Sequence, residues 1–245
     1  MSFAAVILAA GQGTRMKSDL PKVLHAIGER AMILLVIDAV RAADPARIVV
    51  VVGYQAERVR DVCEGTGVVF ARQEQQLGTG HAVIQTEGAL KDFDGTLVVL
   101  NGDVPCLRPA TLERFIAHHD DQGASATVLT ARMDDPSGYG RIVRAGDGSL
   151  NKIVEHKDAS DEELAIDEIN SGLFCFDARE LFGALKQTNR DNAQNEYYLP
   201  DVIEMMREKG KRVAAWCVED SREVAGVNTE ADLETVRRYL ESDEW

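Results

Sequence analysis

Basic residues are in short supply. The chain has 27 Lys and Arg against 41 Asp and Glu, a net charge of −14. A protein that grips duplex DNA gains affinity by neutralising phosphates along a basic face. This balance argues against nucleic acid and for a small anionic ligand held by a few placed cations. Cysteine is sparse too. Cys63, Cys106, Cys175 and Cys217 stand apart, without CxxC or CxH spacing. They read as reduced thiols, three of them buried in or near strands, and not as a disulfide or zinc framework. Long hydrophobic runs are missing: a stretch such as 48–52 is far short of the ~20 residues that a membrane span needs. No basic segment followed by an apolar one opens the chain, so the expectation is a cytoplasmic protein with no membrane partner. His25, His81, His118, His119 and His156 show no zinc-ligand spacing with a third ligand nearby. There is no GxSxG elbow, no Cys–His pair that spacing would favour, no internal repeat and no low-complexity segment.

What is present is a core-forming chain of 245 residues, 45% of them hydrophobic, enough for one large domain. Hydrophobic spacing predicts strands over 3–10, 47–53, 67–71, 96–100 and 124–131, with helices over 32–42, 57–63, 81–90 and 112–119 between them. Such alternation implies βαβ units and a mostly parallel sheet with helices on both faces. After Pro136 the pattern changes. "GYGRIVRAGDGSLNKIVEH" holds two short strands around a hairpin signal, "AGDG". An extended segment at 166–176, helices over 178–185 and 195–207, a strand at 213–218 and a helix over 229–240 with Thr229 as N-cap follow. The fold class expected is α/β: a Rossmann-like, mostly parallel sheet flanked by helices, with a smaller, more antiparallel lobe. The sheet part would span about 1–135, the lobe about 136–228 and the closing helix about 229–243. The lobe would cover the C-terminal ends of the parallel strands, where such sheets bind ligands.

The first strand runs into "GQGTRMKS". A dinucleotide fingerprint, GxGxxG, and a Walker A loop, GxxxxGK[ST], each fail at one position, where Met16 stands for glycine. A plain strand-to-helix turn explains two glycines equally well. The basic residues beyond the glycines favour phosphate. Arg15 and Lys17 come at once and Lys22 follows Pro21, which makes a continuous helix through Lys22 unfavourable. The loop is long and carries cations at both ends. Glycine N–H groups could hold phosphates while Arg15 and Lys22 reach across them.

"LAAGQGTRMKSDLPKVLH" resembles the signature loop of the sugar-phosphate nucleotidyltransferases. Further motifs come in that family's order: "QEQQLGTGHA", "GDVP", "DDPSGYGRI", "IVEHKDA", "EINSG", "NEYYLPD" and "EVAGVN". Together they span 5–228. Within the family they most resemble the uridylyltransferase half of the bifunctional bacterial enzymes that make UDP-N-acetylglucosamine. The resemblance implies Mg²⁺-dependent uridylyl transfer from UTP to N-acetylglucosamine 1-phosphate, giving UDP-N-acetylglucosamine for cell-wall precursors. The bifunctional relatives continue into an acetyltransferase β-helix built on hexapeptide repeats. This sequence shows no such repeats, so that second activity is not expected of it, and a monomer or weak dimer is.

The resemblance also assigns roles. Leu8, Ala9, Ala10, Gly11 and Gly13 would hold the nucleotide, and Gln73, Gly78 and Thr79 would read uracil. Gln73 suits this chemically, since an amide can both donate and accept. Asp103, just past a buried strand, would hold Mg²⁺ with Asn228. Gly140, Glu155, Asn170 and Asn228 would meet the sugar. Arg15 would stabilise the leaving pyrophosphate, and Lys22 would bridge the attacking phosphate and the α-phosphate. The family commonly carries an aromatic residue where this chain has Asn101. Seen one at a time, these residues have plain alternatives: Asp103 a turn former, Glu155 a solvated charge, Asn170 a turn residue, Gly140 a hairpin glycine. Another sugar 1-phosphate, dTTP in place of UTP, or a catalytically silent nucleotide-sugar-binding module are the competing functions.

Overall fold

The computed structural model describes residues 2–242. Its centre is β1 (Phe3–Ala9), with β4 (Arg47–Val52) parallel on one side and β6 (Thr96–Asn101) parallel on the other. Between β1 and β4 lie a two-residue hairpin, β2 (Ala26–Ile27) and β3 (Arg30–Ala31), and α1 (Met32–Ala42). After β4 come α2 (Ala56–Val62), the edge strand β5 (Val69–Arg72), and α3 (Thr79–Ile84) and α4 (Glu87–Leu90). Then β6 leads through α5 (Pro109–Gln122) to β7 (Ala126–Arg132).

The second half adds the hairpin β8 (Arg141–Arg144) and β9 (Leu150–Val154), a short α6 (Asp161–Leu164), and β10 (Glu168–Asp177). It closes with α7 (Ala178–Leu185), α8 (Asp201–Glu208), β11 (Val213–Cys217) and α9 (Glu230–Glu241). The sheet order is β11-β7-β10-β6-β1-β4-β5, with the β8–β9 hairpin attached to β10. Only β10 runs against its neighbours in that row. The sheet is therefore mostly parallel, and the antiparallel element sits inside it, bridging β6 to β7.

β1, "FAAVILA", and β4 after Arg47, "IVVVV", are apolar because both faces are covered. Alternate residues serve opposite cores. Ala5, Ile7 and Ala9 pack with α1 and α5, while Ala4, Val6 and Ala10 pack with α3, α7 and α8. The C-terminal ends of β1 and β6 then emerge side by side, with Leu8 opposite Asn101. That register places the glycine loop next to Asp103. β10 bulges between Asn170 and Phe174, around Gly172 at φ +80°. A bulge re-aims side chains, and a Cβ on Gly172 would run into the Asn101 amide.

Most predicted elements form near their predicted bounds. Thr229 caps α9 with a reciprocal box, its side chain accepting from Asp232 N–H. Cys63, Cys106 and Cys175 are buried free thiols, and burial pushes the first two up to about 11 and about 12. Two helices differ. The predicted helix 81–90 begins earlier, at Thr79, and breaks into α3 and α4. The predicted helix 195–207 begins only at Asp201. Pro200 disfavours helical backbone in Leu199 before it, and Asn195 takes φ +53°. The segment instead lies along α3, with Tyr197 N–H donating to Leu77 O and Gly80 N–H to Tyr197 O, both at 2.8 Å. The closing helix is formed by Glu230–Glu241, and the last position of its predicted range, Asp243, lies outside the described residues. Among the described residues no helix is long and apolar enough to cross a membrane.

Candidate active site

The glycine loop leaves β1 and makes one tight turn, Thr14–Met16, between Gly13 (φ 70°) and Lys17 (φ 51°). Gly13 needs to be glycine on two counts. Its backbone is left-handed, and a Cβ there would lie 2.5 Å from Lys22 Cβ. The first turn ends at Met16, and Lys22 opens a second short turn with Pro21 just before it, so no continuous helix runs through Lys22. The chain thereby folds back and stacks Lys22 over Gly13.

The polar groups that the sequence spreads over 15–228 meet here. Lys22 Nζ pairs with the Asp103 carboxylate and donates to Asn228 Oδ1 at 3.0 Å. Arg15 Nη2 donates to the same Asn228 oxygen at 2.8 Å. Asp103 is largely buried. The strap carrying Asn228 is itself pinned, by Val227 N–H to Asp103 O at 3.0 Å and Asn228 N–H to Asp232 Oδ2 at 2.9 Å.

Two cavities adjoin this cluster. The first, about 250 Å³, runs between the glycine loop and the start of α3. Leu8, Ala9, Ala10, Gly11, Gln73, Gly78 and Thr79 line it, whereas Gly13 lies behind, under Lys22. Gln73 is 3% exposed. Its Nε2 donates to Gly78 O at 3.1 Å and lies 3.0 Å from His81 Nδ1. In the tautomer that leaves His81 Nδ1 without a proton, both amide hydrogens have protein acceptors, which leaves the amide oxygen for a ligand N–H. Burial holds the His81 pKa down, which favours the neutral ring that can accept this bond. His81 escaped sequence reading because its place beside Gln73 depends on α3 starting at Thr79. Gly78, at φ +109°, lies against the Tyr197 backbone, where a Cβ has no room.

The second cavity, about 320 Å³, is lined by Arg15, Lys22, Asp103, Gly140, Glu155, Asn170 and Asn228 among others. Gly140 sits close to both neighbours: a Cβ there would lie 3.4 Å from Glu155 Oε1 and 3.5 Å from Asn170 Cβ. Asn170 Oδ1 accepts from Gly172 N–H at 2.9 Å, so its NH₂ is the end left for a ligand. Tyr139 and Gly226, which the sequence did not single out, form one wall, with Gly226 N–H donating to Tyr139 Oη at 3.3 Å. The cavities share Leu8, Lys22, Thr79, Asn101 and Asp103.

Glu155 is pushed up from the usual 4.5 to about 7, first by burial and then by the charges of Asp158, Asp201 and Glu196. A carboxyl raised this way binds its proton more tightly when folded, so folding stability falls as pH rises from about 4.5 through 7. The charge penalty is absent below that window and complete above it. Glu155→Gln is therefore expected to unfold like the parent near pH 4.5 and to be more stable by roughly 3 kcal/mol at pH 8. Thermal melts of both proteins across that range check this. Equal melting at pH 8 would mean that Glu155 carries no such penalty.

The MobA-like NTP transferase domain family matches residues 5–204. The chain is 49% identical over 236 residues to the bifunctional protein GlmU of Lactobacillus delbrueckii subsp. bulgaricus, covering 96% of this chain and 51% of that protein. It is 50% identical over 238 residues to GlmU of Pelobacter propionicus, covering 97% and 52%. With GlmU of Exiguobacterium sibiricum it is 49% identical over 248 residues, covering 100% and 55%. The chain thus spans about half the length of the curated relatives it matches. In fold it is similar to a crystal structure of UDP-glucose pyrophosphorylase complexed with UDP-glucose, with a TM-score of 0.79, 19% identity and 98% of each chain covered.

Proposed function

This chain belongs to the MobA-like NTP transferase domain family and is a nucleotidyltransferase; from that premise we propose that it moves a uridylyl group from UTP to N-acetylglucosamine 1-phosphate. The products are UDP-N-acetylglucosamine, a cell-wall precursor, and pyrophosphate. One observation carries the reading. Two cavities, one suited to a base and one rich in hydroxyl-binding groups, meet at Lys22 and Asp103. Residues up to about 135 then form the nucleotide side, and 136–228 the sugar lobe.

An oxygen of the sugar 1-phosphate attacks the α-phosphorus of UTP. A P–O bond forms, the bond from the α-phosphorus to the bridging oxygen breaks, and pyrophosphate leaves with that electron pair. The attacking oxygen is already ionised near neutral pH, so no general base is needed. The protein's work is positioning and charge stabilisation. Lys22, which lines both cavities, draws the two anions together, and Arg15 meets the departing phosphates. The Gln73 oxygen accepts the uracil N–H, with Gly78 and Thr79 beside it. Glu155, Asn170 and the Gly140 backbone hold the sugar.

Asp103 and Asn228 fit a divalent cation. Both oxygens converge on one positive atom, Lys22 Nζ, and a carboxylate plus an amide oxygen is a hard donor set. Among the described residues no group of three or more His, Cys, Asp or Glu could hold a metal. Phosphate oxygens and water would complete the shell, as Mg²⁺ prefers. When bound, the ion would neutralise phosphate charge; Lys22 and Arg15 supply the rest.

Pyrophosphate release with UTP, CTP or dTTP and a panel of sugar 1-phosphates, with and without EDTA, tests the proposal. Release confined to UTP, N-acetylglucosamine 1-phosphate and metal supports it. Release with another pair keeps the chemistry and moves the substrate. Folded protein that binds UTP but turns over nothing is a binding module.

A further inference from the structure

Met16 stands where a third glycine would complete either phosphate-loop fingerprint, and it is fully buried. It belongs to a small apolar cluster, apart from the two that flank the sheet, with Ile27, Met32, Val227, Leu233 and Val236. Its neighbour in sequence is Arg15. Val227, in the same cluster, is the neighbour of Asn228. Arg15 Nη2 and Asn228 Oδ1 are hydrogen-bonded at 2.8 Å. Loop and strap are therefore each anchored, one residue from a polar group of the site, in one apolar cluster.

The turn has little else to hold it. Among the described residues, the bonds of the 14–17 backbone are internal to the turn: Met16 N–H to Gly13 O at 3.0 Å and Lys17 N–H to Thr14 O at 3.2 Å. No side chain caps it, and left-handed residues flank both ends. A short turn held only by its own bonds opens easily, and a buried side chain is what ties it firmly to the rest of the fold. Met16 is the buried residue of the turn. From above, α9 contributes Leu233 and Val236 to the cluster. Arg237 of the same helix donates to Ala26 O at 2.9 Å, just past the turn that carries Lys22.

We infer that Met16 is a positioning residue: packed in one cluster with Val227 under α9, it fixes the turn so that the Arg15 guanidinium meets the substrate phosphates beside Asn228. This rests on the nucleotidyl-transfer reading of Arg15. It explains why a long apolar side chain replaces glycine in a phosphate loop. Close backbone approach is given up at that position, and a hydrophobic anchor to the closing helix is gained.

A double-mutant cycle tests it. The parent, Met16→Ala, Arg15→Ala and the double variant are compared for kcat of pyrophosphate release and, without turnover, for the Kd of UTP by calorimetry. Arg15→Ala should lower kcat by about 100-fold. Met16→Ala alone should lower it by at least about 10-fold with the KM for the sugar phosphate little changed, and Met16→Leu should recover most of the loss. In the Arg15→Ala background, Met16→Ala should cost less than about threefold, because its effect runs through Arg15. The same loss in both backgrounds, or a Met16→Ala kcat within twofold of the parent, overturns the inference. If Met16→Ala does not fold, Val236→Ala thins the same cluster and takes its place. If the parent transfers no nucleotide, the reaction fails as a reading, and the UTP-binding cycle alone decides the Met16 coupling: additive losses in affinity overturn it.

Discussion

Lys22→Ala is expected to lower kcat by about 100-fold or more, the scale of losing one stabilising donor from a preorganised site. Lys22 lines both cavities, so in the proposed reaction its ammonium lies where the two anionic reactants approach. Its loss acts twice. The attraction is gone, and the Asp103 carboxylate, with which Lys22 pairs, is left to repel the incoming phosphates. The stem matters as well, since it stacks on Gly13 and sets the path of the loop. Lys22→Arg should therefore recover only part of the rate, because a planar fork does not fill the space of a point charge on that stem. Steady-state kinetics at saturating UTP and sugar phosphate read the effect as kcat. Circular dichroism melts check that the variants fold. A kcat within twofold of the parent would remove Lys22 from the mechanism.

The sequence made the sheet legible because its strands announce themselves. After Arg47, "RIVVVV" is β-branched and apolar to its end, and only a strand buried on both faces calls for that. The loops were less open to reading. Pro200 and the backbone of Tyr197 decide that 195–200 is an irregular strap, and the partners of that strap, Leu77 and Gly80, are distant in sequence. The antiparallel β10 inside a parallel row is a matter of long-range pairing, and no local periodicity encodes it. For the site, sequence motifs selected residues whose geometry they could not supply. Asp103 and Asn228 share no local pattern, and it takes the strap from Val227 to bring them onto one lysine. His81, Tyr139 and Gly226 escaped because each acts on a neighbour in space: His81 on Gln73, Gly226 on the Tyr139 hydroxyl.

Asp103→Asn separates the proposed role of this carboxylate as metal ligand from its role as counter-ion, and it is expected to lower kcat by about 100-fold with a Mg²⁺ midpoint raised at least tenfold. Asparagine keeps the shape and one oxygen but removes the charge, and a hard divalent ion held by so few protein donors depends on that charge. The backbone at this position should not move, because Asp103 O accepts from Val227 N–H and the residue lies just beyond the buried β6. Folding should suffer modestly, by about 1–3 kcal/mol, since a partly buried ammonium loses its partner while keeping Asn228. Metal titrations of activity, and of Mn²⁺ binding in the presence of UTP, read the midpoint apart from kcat. If Asp103→Asn binds Mn²⁺ as the parent does and turns over normally, while melting lower, then Asp103 serves only to neutralise Lys22. The cation at the centre of the site would then be the lysine itself, and a metal ligand would have to come from elsewhere in the chain.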